Sequence, residues 1–209
     1  MAASLLQQIQ QGCDDLALTL SSKQQQQMLA YVQLLAKWNK VYNLTSVRDI
    51  DDMVSRHVLD SLAILPFLSG LSLLDVGSGG GLPGIPIAIA MPELAVTLLD
   101  SNSKKTRFLQ QAKAELGLDN VTVVHARIEQ ANLSQFDLVT ARAFSTIGDI
   151  IDLTERHCHD ASRLLLMKGV YPEQELQQLA GGFRLEAIHA LKVPGSDGQR
   201  HLVELVRSE

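Results

Sequence analysis

The first part of the chain carries apolar side chains at helical spacing. Those from Met28 to Trp38 recur three and four positions apart, and Ser21 precedes them as a candidate capping residue. The spacing predicts a second helix from Asp51 to about Ile64, before Gly70 interrupts the pattern. We therefore predict an N-terminal helical segment over residues 1–69, packed on the remainder of the chain.

Beyond residue 70, short apolar runs alternate with helical patterns. The runs predict strands over 71–76, 95–99, 121–125, 136–141 and 163–167, and helices over 83–90, 103–116, 147–158 and 173–179. Two further strands, 183–193 and 201–206, are joined by a turn with no helix between them. Such alternation is typical of an α/β fold, so we predict a Rossmann-like core over residues 70–209. Its sheet is expected to be mostly parallel, with an antiparallel C-terminal edge hairpin.

A glycine-rich segment follows the first predicted strand and opens the next helix. It contains Asp75, Gly77 and Gly79 and ends at Leu82. Glycines at such a place allow a tight turn and a close approach of the backbone to a ligand. The pattern resembles the first motif of class I methyltransferases, whose loop wraps the methionine part of S-adenosylmethionine.

The same segment also matches a dinucleotide-binding pattern, with glycines at 79, 81 and 84. Three features weigh against that alternative: Asp75 lies inside the strand, Pro83 directly follows the loop, and the C-terminal hairpin favours the methyltransferase variant. The chain also has no Tyr-x-x-x-Lys pair. An NAD(P)-dependent oxidoreductase is therefore the alternative rather than the preferred interpretation.

Three residues after the second and third strands are candidates for contact with a nucleoside. Asp100 ends the second strand, about 20 residues past the loop, where an acid can accept hydrogen bonds from ribose hydroxyls. Ile128 and Glu129 follow the third strand, beside the turn where class I methyltransferases hold adenine. Taken alone, Asp100 is equally consistent with a solubilising strand end, and residues 128–129 with an exposed helix start.

Arg142 follows the fourth strand and is the candidate catalytic residue. The Asn/Asp-Pro-Pro-Tyr/Phe motif of enzymes that methylate exocyclic amines is missing at this position, and neither Cys13 nor Cys158 follows a proline. This favours a target that is already nucleophilic, such as guanine N7, for which positioning is the main requirement. Arginine can donate to guanine O6 or hold a carboxylate or phosphate. A structural ion pair is the alternative role for Arg142.

The composition narrows the classes of function. A formal net charge of −5 argues against nonspecific coating of nucleic acid, although it permits a local basic patch. Two cysteines do not form a disulfide framework, so we expect a reducing compartment. We see neither a signal peptide nor an apolar run of about 18 residues, and we expect a cytoplasmic protein with no membrane span.

His157, Cys158 and His159 are consecutive, and we predict them to be helical. Consecutive helical side chains point in different directions and cannot converge on one ion. We therefore expect no metal site.

Several segments together resemble the RsmG (GidB) family of bacterial 16S rRNA guanine-N7 methyltransferases. The resemblance spans essentially the whole chain, and the segments that carry it are residues 38–48 (WNKVYNLTSVR), 56–61 (RHVLDS), 75–86 (DVGSGGGLPGIP), 99–101 (LDS), 141–144 (ARAF), 168–169 (KG) and 200–203 (RHLV).

The resemblance implies an S-adenosylmethionine-dependent enzyme whose partner is 16S rRNA or the small ribosomal subunit, and which we expect to be a monomer. It implies cofactor contacts at Gly77, Leu82, Ile128, Glu129 and Arg142, with Asp100 near the ribose. It also implies a surface that faces RNA, with candidates Asn43, Arg48, Arg56, His57, Lys104, Lys105, Arg107, Lys168 and Arg200. A non-catalytic ribosome-assembly factor is the second alternative.

Overall fold

The computed structural model describes residues 4–143, 145–179 and 182–208, and its elements follow the predicted order. The helices are α1 (Leu5–Asp15), α2 (Ser22–Tyr42), α3 (Ile50–Met53), α4 (Asp60–Leu62), α5 (Gly84–Ala90), α6 (Ser103–Leu116), α7 (Ile147–Thr154) and α8 (Glu173–Gln177). The strands are β1 (Ser72–Val76), β2 (Ala95–Asp100), β3 (Val121–His125), β4 (Phe136–Arg142), β5 (Cys158–Lys168), β6 (Phe183–Ala190) and β7 (His201–Arg207).

The strands form one seven-stranded sheet in the order β3-β2-β1-β4-β5-β7-β6. The first five strands in this order are parallel, whereas β7 pairs antiparallel with both β5 and β6. This confirms the predicted sheet and its C-terminal hairpin. The strand order reverses between β1 and β4, and ligands of open α/β sheets bind in the crevice at such a switch point.

Alternate residues of the strands supply two hydrophobic layers, because side chains of a strand point to opposite faces of the sheet. Leu73 packs with α5, α6 and the N-terminal helices, while its neighbour Leu74 packs on the other face with α7. On the first face, α2 lies against α6, and the rings of Trp38 and Phe108 have centroids 5.6 Å apart. The N-terminal helices therefore share one buried cluster with one face of the sheet.

The helix predicted from Asp51 to about Ile64 is interrupted. A π-helical segment, Val54–Leu59, separates α3 from α4. Apolar spacing predicts the presence of a helix, but it does not reveal an extra residue within one turn. Single π turns of this kind are frequently found at functional sites.

The helix predicted to reach Cys158 ends earlier, at Thr154, and a short 3-10 turn, Glu155–His157, follows it. Cys158 instead begins β5, five residues before the predicted strand, and the pairing of β4 with β5 shifts register between Phe136 and Leu138. The predicted helical conformation is therefore wrong for Cys158 and His159, which lie in a strand, whereas His157 ends the 3-10 turn.

Within the described ranges, no group of three or more His, Cys, Asp or Glu side chains is arranged to hold a metal ion. Among the helices described above, none has the length and apolar character needed to cross a membrane.

Candidate active site

The glycine loop connects β1 to α5 at the carboxyl edge of the sheet. The N–H groups of Gly77 and Ser78 both donate to the carbonyl oxygen of Leu99, at 2.8 and 3.0 Å. Gly77 has a φ of +70°, a left-handed conformation that side chains disfavour. The loop is therefore fixed to the end of β2 with a bare backbone facing outward.

Asp100 fastens this loop from the end of β2. Its Oδ2 accepts from the Gly79 N–H at 2.9 Å, and its Oδ1 accepts from the Asn102 N–H at 2.8 Å. Lys105 Nζ lies 3.8 Å from Oδ2. A carboxylate has about four acceptor sites, so Asp100 can hold the loop and still accept from a ligand hydroxyl.

Asp75 lies behind the loop, fully buried on β1. Its Oδ2 accepts from the N–H of Gly84, the first residue of α5, at 3.0 Å, while its Oδ1 has no partner within the described residues. Burial raises the pKa of Asp75 to about 7. Asp75 lines neither of the cavities described next, so it supports the loop from beneath instead of facing a ligand directly.

Two cavities meet at the switch point between β1 and β4. The smaller, of about 360 Å³, is lined by Asp100, Ile128 and Glu129 among others. The larger, of about 520 Å³, is lined by residues that include Leu82, Arg56, His57, Arg142, Lys168 and Arg200. Gly77, Lys105 and Ala143 line both. Each volume is within the usual range for small-molecule clefts, and the pair provides two adjoining compartments.

Arg142 stands at the end of β4 and forms an ion pair on the wall of the larger cavity. Its Nη1 donates to Asp60 Oδ2 at 3.0 Å and to the carbonyl oxygen of Arg56 at 3.1 Å. The structural ion pair that was the alternative role for Arg142 is thus present. Its side chain nevertheless lines the cavity, so the two roles are compatible.

His57 is buried in the same wall. Thr45 Oγ1 is 2.7 Å from Nε2. Nδ1 is 2.8 Å from the carbonyl oxygen of Arg56 and 3.4 Å from Arg142 Nη2, and the shorter contact favours the tautomer protonated at Nδ1. Burial and the neighbouring guanidinium of Arg142 lower the pKa of His57 to about 4. His57 is therefore a neutral residue of the cavity wall near pH 7, and its contact with RNA stays a prediction.

The remaining RNA candidates fall into two groups. Within the described part of the chain, Arg56, Lys104 and Arg107 are exposed and their side chains have no carboxylate partner. The others have protein partners: Arg48 with Asn43 (2.8 Å), Lys168 with Glu175 (2.8 Å), Lys105 with Asp100 and Arg200 with Asp60. Phe144, which belongs to one of the resemblance segments, lies outside the described residues.

Two residues that the structure brings to the site were not singled out from the sequence. Asp60 forms ion pairs with both Arg142 and Arg200. The sequence feature that could have identified it is a single charged residue in the mostly apolar segment from Val58 to Leu62. Tyr31, on α2, donates its hydroxyl to the carbonyl oxygen of Gly80 at 2.6 Å. Tyr31 has no such signal, because its place in the helical pattern is that of any core residue.

Comparison with known proteins decides the family. The family model "GidB: rRNA small subunit methyltransferase G" matches residues 24–203. The chain belongs to this family. GidB relatives named ribosomal RNA small subunit methyltransferase G are 54% identical in Stutzerimonas stutzeri and 56% identical in Ectopseudomonas mendocina. The alignments cover 100% and 97% of this chain, and 98% and 96% of those proteins.

Solved structures place the GidB chain in the methyltransferase fold. A glycopeptide N-methyltransferase, MtfA, crystallised with S-adenosyl-L-homocysteine, has a TM-score of 0.63 at 14% identity over 73% of this chain and 87% of that one. A SAM-dependent methyltransferase from Aquifex aeolicus has a TM-score of 0.59 at 16% identity over 82% and 98%. Identities this low establish the fold alone.

The family membership confirms the prediction of a methyltransferase made from the sequence. The matches give no support to the two alternatives, an oxidoreductase and a non-catalytic assembly factor.

Proposed function

We propose that this GidB protein transfers a methyl group from S-adenosylmethionine to N7 of one guanine in 16S rRNA. The observation that carries the proposal is the meeting of two cavities at Gly77, on a chain that belongs to a family of rRNA methyltransferases. The smaller compartment has the size and groups for a nucleoside, and the larger one opens beside it with several cations in its wall.

The cofactor would lie across both compartments. Asp100 would accept from the ribose hydroxyls, and Ile128 and Glu129 would border the adenine. The methionine part would lie along the bare backbone at Gly77 and Gly79. Leu82 would border it on the cavity wall, and Asp75 would support the loop from behind. Arg142 has donors suited to the carboxylate of the methionine part or to guanine O6.

The chemistry of the larger cavity suits a ring nitrogen. When bound, the sulfonium group supplies a methyl carbon to the guanine N7 lone pair, the bond between that carbon and sulfur breaks, and its electrons remain on sulfur. N7 loses no proton, so the site needs no general base. Both cysteines are buried outside the two cavities, so neither is placed to act as a nucleophile. The contribution of the protein is then the positioning of the base.

We further propose that the enzyme acts as a monomer in the cytoplasm and that its partner is 16S rRNA or the small ribosomal subunit. Exposed Arg56, Lys104 and Arg107 supply local positive charge that the net charge of −5 conceals. Residues 1–69 and 70–209 act as one structural unit, because side chains from both contribute to one buried cluster.

A labelling experiment tests this function. The protein is incubated with radiolabelled S-adenosylmethionine and small subunits from a strain that lacks this modification. The proposal expects label at a single guanine, with strand scission after the borohydride and aniline treatment that is specific for N7-methylguanine. Label on adenine or on protein would contradict it. Calorimetric titration with S-adenosylhomocysteine and with NADH provides an independent check, and only the former is expected to bind.

A further inference from the structure

Asp60 is a buried carboxylate that bridges two guanidinium groups. Its Oδ2 accepts from Arg142 Nη1 at 3.0 Å, and its Oδ1 accepts from Arg200 Nε at 2.8 Å. The Asp60 side chain is only 4% exposed, whereas those of the two arginines are 21% and 26% exposed. All three side chains line the larger cavity, and the carboxylate is the least exposed of them.

The three residues come from separate parts of the chain. Asp60 begins α4, in the N-terminal segment; Arg142 ends β4; and Arg200 directly precedes β7. The sheet places both arginines at the same edge, on either side of β5, because Arg142 pairs with Met167 and Met167 pairs with Leu202. One buried acid that accepts from both of them then fixes their guanidinium groups.

Each arginine keeps donors that no protein group uses. Arg142 Nη1 donates to Asp60 and to the carbonyl oxygen of Arg56, and Arg142 Nη2 lies 3.4 Å from His57 Nδ1. Arg200 Nη1 donates to the carbonyl oxygen of Gln199. Within the described residues, Nε of Arg142 and Nη2 of Arg200 have no protein acceptor. Two guanidinium groups and one carboxylate leave a net positive charge on the cavity wall, with unused donors.

We propose that Asp60 is a positioning residue of the methylation site, which holds Arg142 and Arg200 at a fixed spacing so that their unused donors meet the RNA. This proposal depends on the proposed function. The carboxylate reduces the repulsion between the two cations, and the paired guanidinium groups engage the target guanine or an adjoining phosphate. Asp60 has both oxygens engaged by the arginines, so it acts through them and not by a contact of its own with the substrate.

The test substitutes Asp60→Asn and compares it with a matched control, Glu204→Gln. Glu204 is also a mostly buried carboxylate with two basic partners, Arg163 at 2.6 Å and His189 at 2.9 Å, but it lines neither cavity. Both substitutions convert an acid to its amide within an ion-pair cluster. The measurements are kcat and KM for small subunits, the affinity for S-adenosylhomocysteine, and the midpoint of thermal unfolding.

Asp60→Asn is expected to lower kcat/KM for small subunits by about 10- to 100-fold, since small misplacements of positioning groups carry losses of this size. Glu204→Gln should reduce thermal stability and leave kcat/KM within twofold of the wild type. Equal kcat/KM for the two variants would overturn the positioning role. Absence of guanine labelling by the wild-type protein would instead overturn the proposed function, and the positioning role with it.

Asp60→Asn leaves two adjacent cations uncompensated, which can impair folding. A second pair of variants therefore tests the proposal where this repulsion is absent. Arg200→Gln removes one of these cations, and Asp60→Asn is then added to it. If Asp60 acts through its arginines, this addition lowers kcat/KM much less than Asp60→Asn does in the wild type. If Asp60→Asn lowers kcat/KM in the Arg200→Gln protein as much as it does in the wild type, the proposal is contradicted.

Discussion

Gly77 combines a left-handed backbone with a place where the two cavities join. We predict that Gly77→Val abolishes binding of S-adenosylhomocysteine, because the added side chain occupies ligand space and strains the loop. Isothermal titration calorimetry measures the loss. The matched control is Gly117→Val at the end of α6, where φ is +63° but a side chain would meet open space. It carries similar strain, about 1–2 kcal/mol, and should bind normally. Normal binding by Gly77→Val would show that the loop is not the site.

The folding stability of the protein is expected to depend on pH through Asp75. Its pKa is 3.8 in the absence of structural effects and about 7 when folded, so the folded chain keeps a proton that the unfolded chain has lost. The stability gained from this proton is complete below about pH 4 and disappears as the pH rises through 7.

We therefore predict that wild-type protein without cofactor loses about 3 kcal/mol relative to Asp75→Asn between pH 5 and pH 8. The asparagine can still accept from the Gly84 N–H, so the variant retains this contact without the titration. Urea unfolding at several pH values measures the difference between the two proteins. A difference that does not vary with pH would refute the assignment.

Among single residues, those whose type matches a motif could be selected from the sequence. Residues whose role depends on contacts between distant parts of the chain could not. Gly77 and Asp100 were found from their spacing around the first two strands. Asp60 was not assigned, because its partners are 82 and 140 residues away in the sequence. The burial of His57 was not predicted, because it depends on how the N-terminal segment packs.

Among the elements, α2 links the N-terminal segment to the loop. The Tyr31 hydroxyl donates to the buried carbonyl of Gly80, on the inner side of the loop. Tyr31→Phe should lower the free energy of unfolding by about 1 kcal/mol, because it leaves that carbonyl without its partner. It should also weaken S-adenosylhomocysteine binding several-fold by loosening the loop. Tyr42→Phe, at the exposed end of the same helix, is the control. Unchanged affinity in Tyr31→Phe would show that α2 does not restrain the loop.

The elements predicted most accurately are those with both a strong pattern and a clear end signal. The bounds of α6 and β3 agree with the prediction at 103–116 and 121–125, since Gly117 ends the helix and a short turn leads into the strand. The first half of β5 was missed because residues 158–162 include exposed polar positions and pair irregularly with β4. Local patterning carries no signal for a strand of that kind.

For the molecule as a whole, we expect RNA binding to depend on where the positive side chains lie more than on the net charge. Lys104→Glu with Arg107→Glu should weaken rRNA binding and reduce the slope of log K against log salt by roughly two. Affinity for S-adenosylhomocysteine should not change, since neither side chain lines the two cavities. Lys105 is left intact because its Nζ lies near Asp100 on the cofactor side.

The control pair for that prediction is Lys23→Glu with Lys113→Glu, which makes the same change in total charge. Lys23 lies in the first turn of α2 and Lys113 in the last turn of α6, and these ends adjoin through a hydrogen bond from Gln27 to the Leu116 carbonyl. This pair should leave rRNA affinity close to that of the wild type. Equal weakening by both pairs would mean that RNA responds to total charge instead of a local surface.

The packing of α2 on α6 also gives the protein an internal optical reporter. Trp38 is the single tryptophan of the chain; it contacts Phe108 and borders a surface groove together with Arg107. A nucleotide that settles over this groove would alter the polarity around the indole and stack near it. If the ribosomal substrate covers this groove, its docking can be followed through intrinsic fluorescence, with no dye attached to either partner.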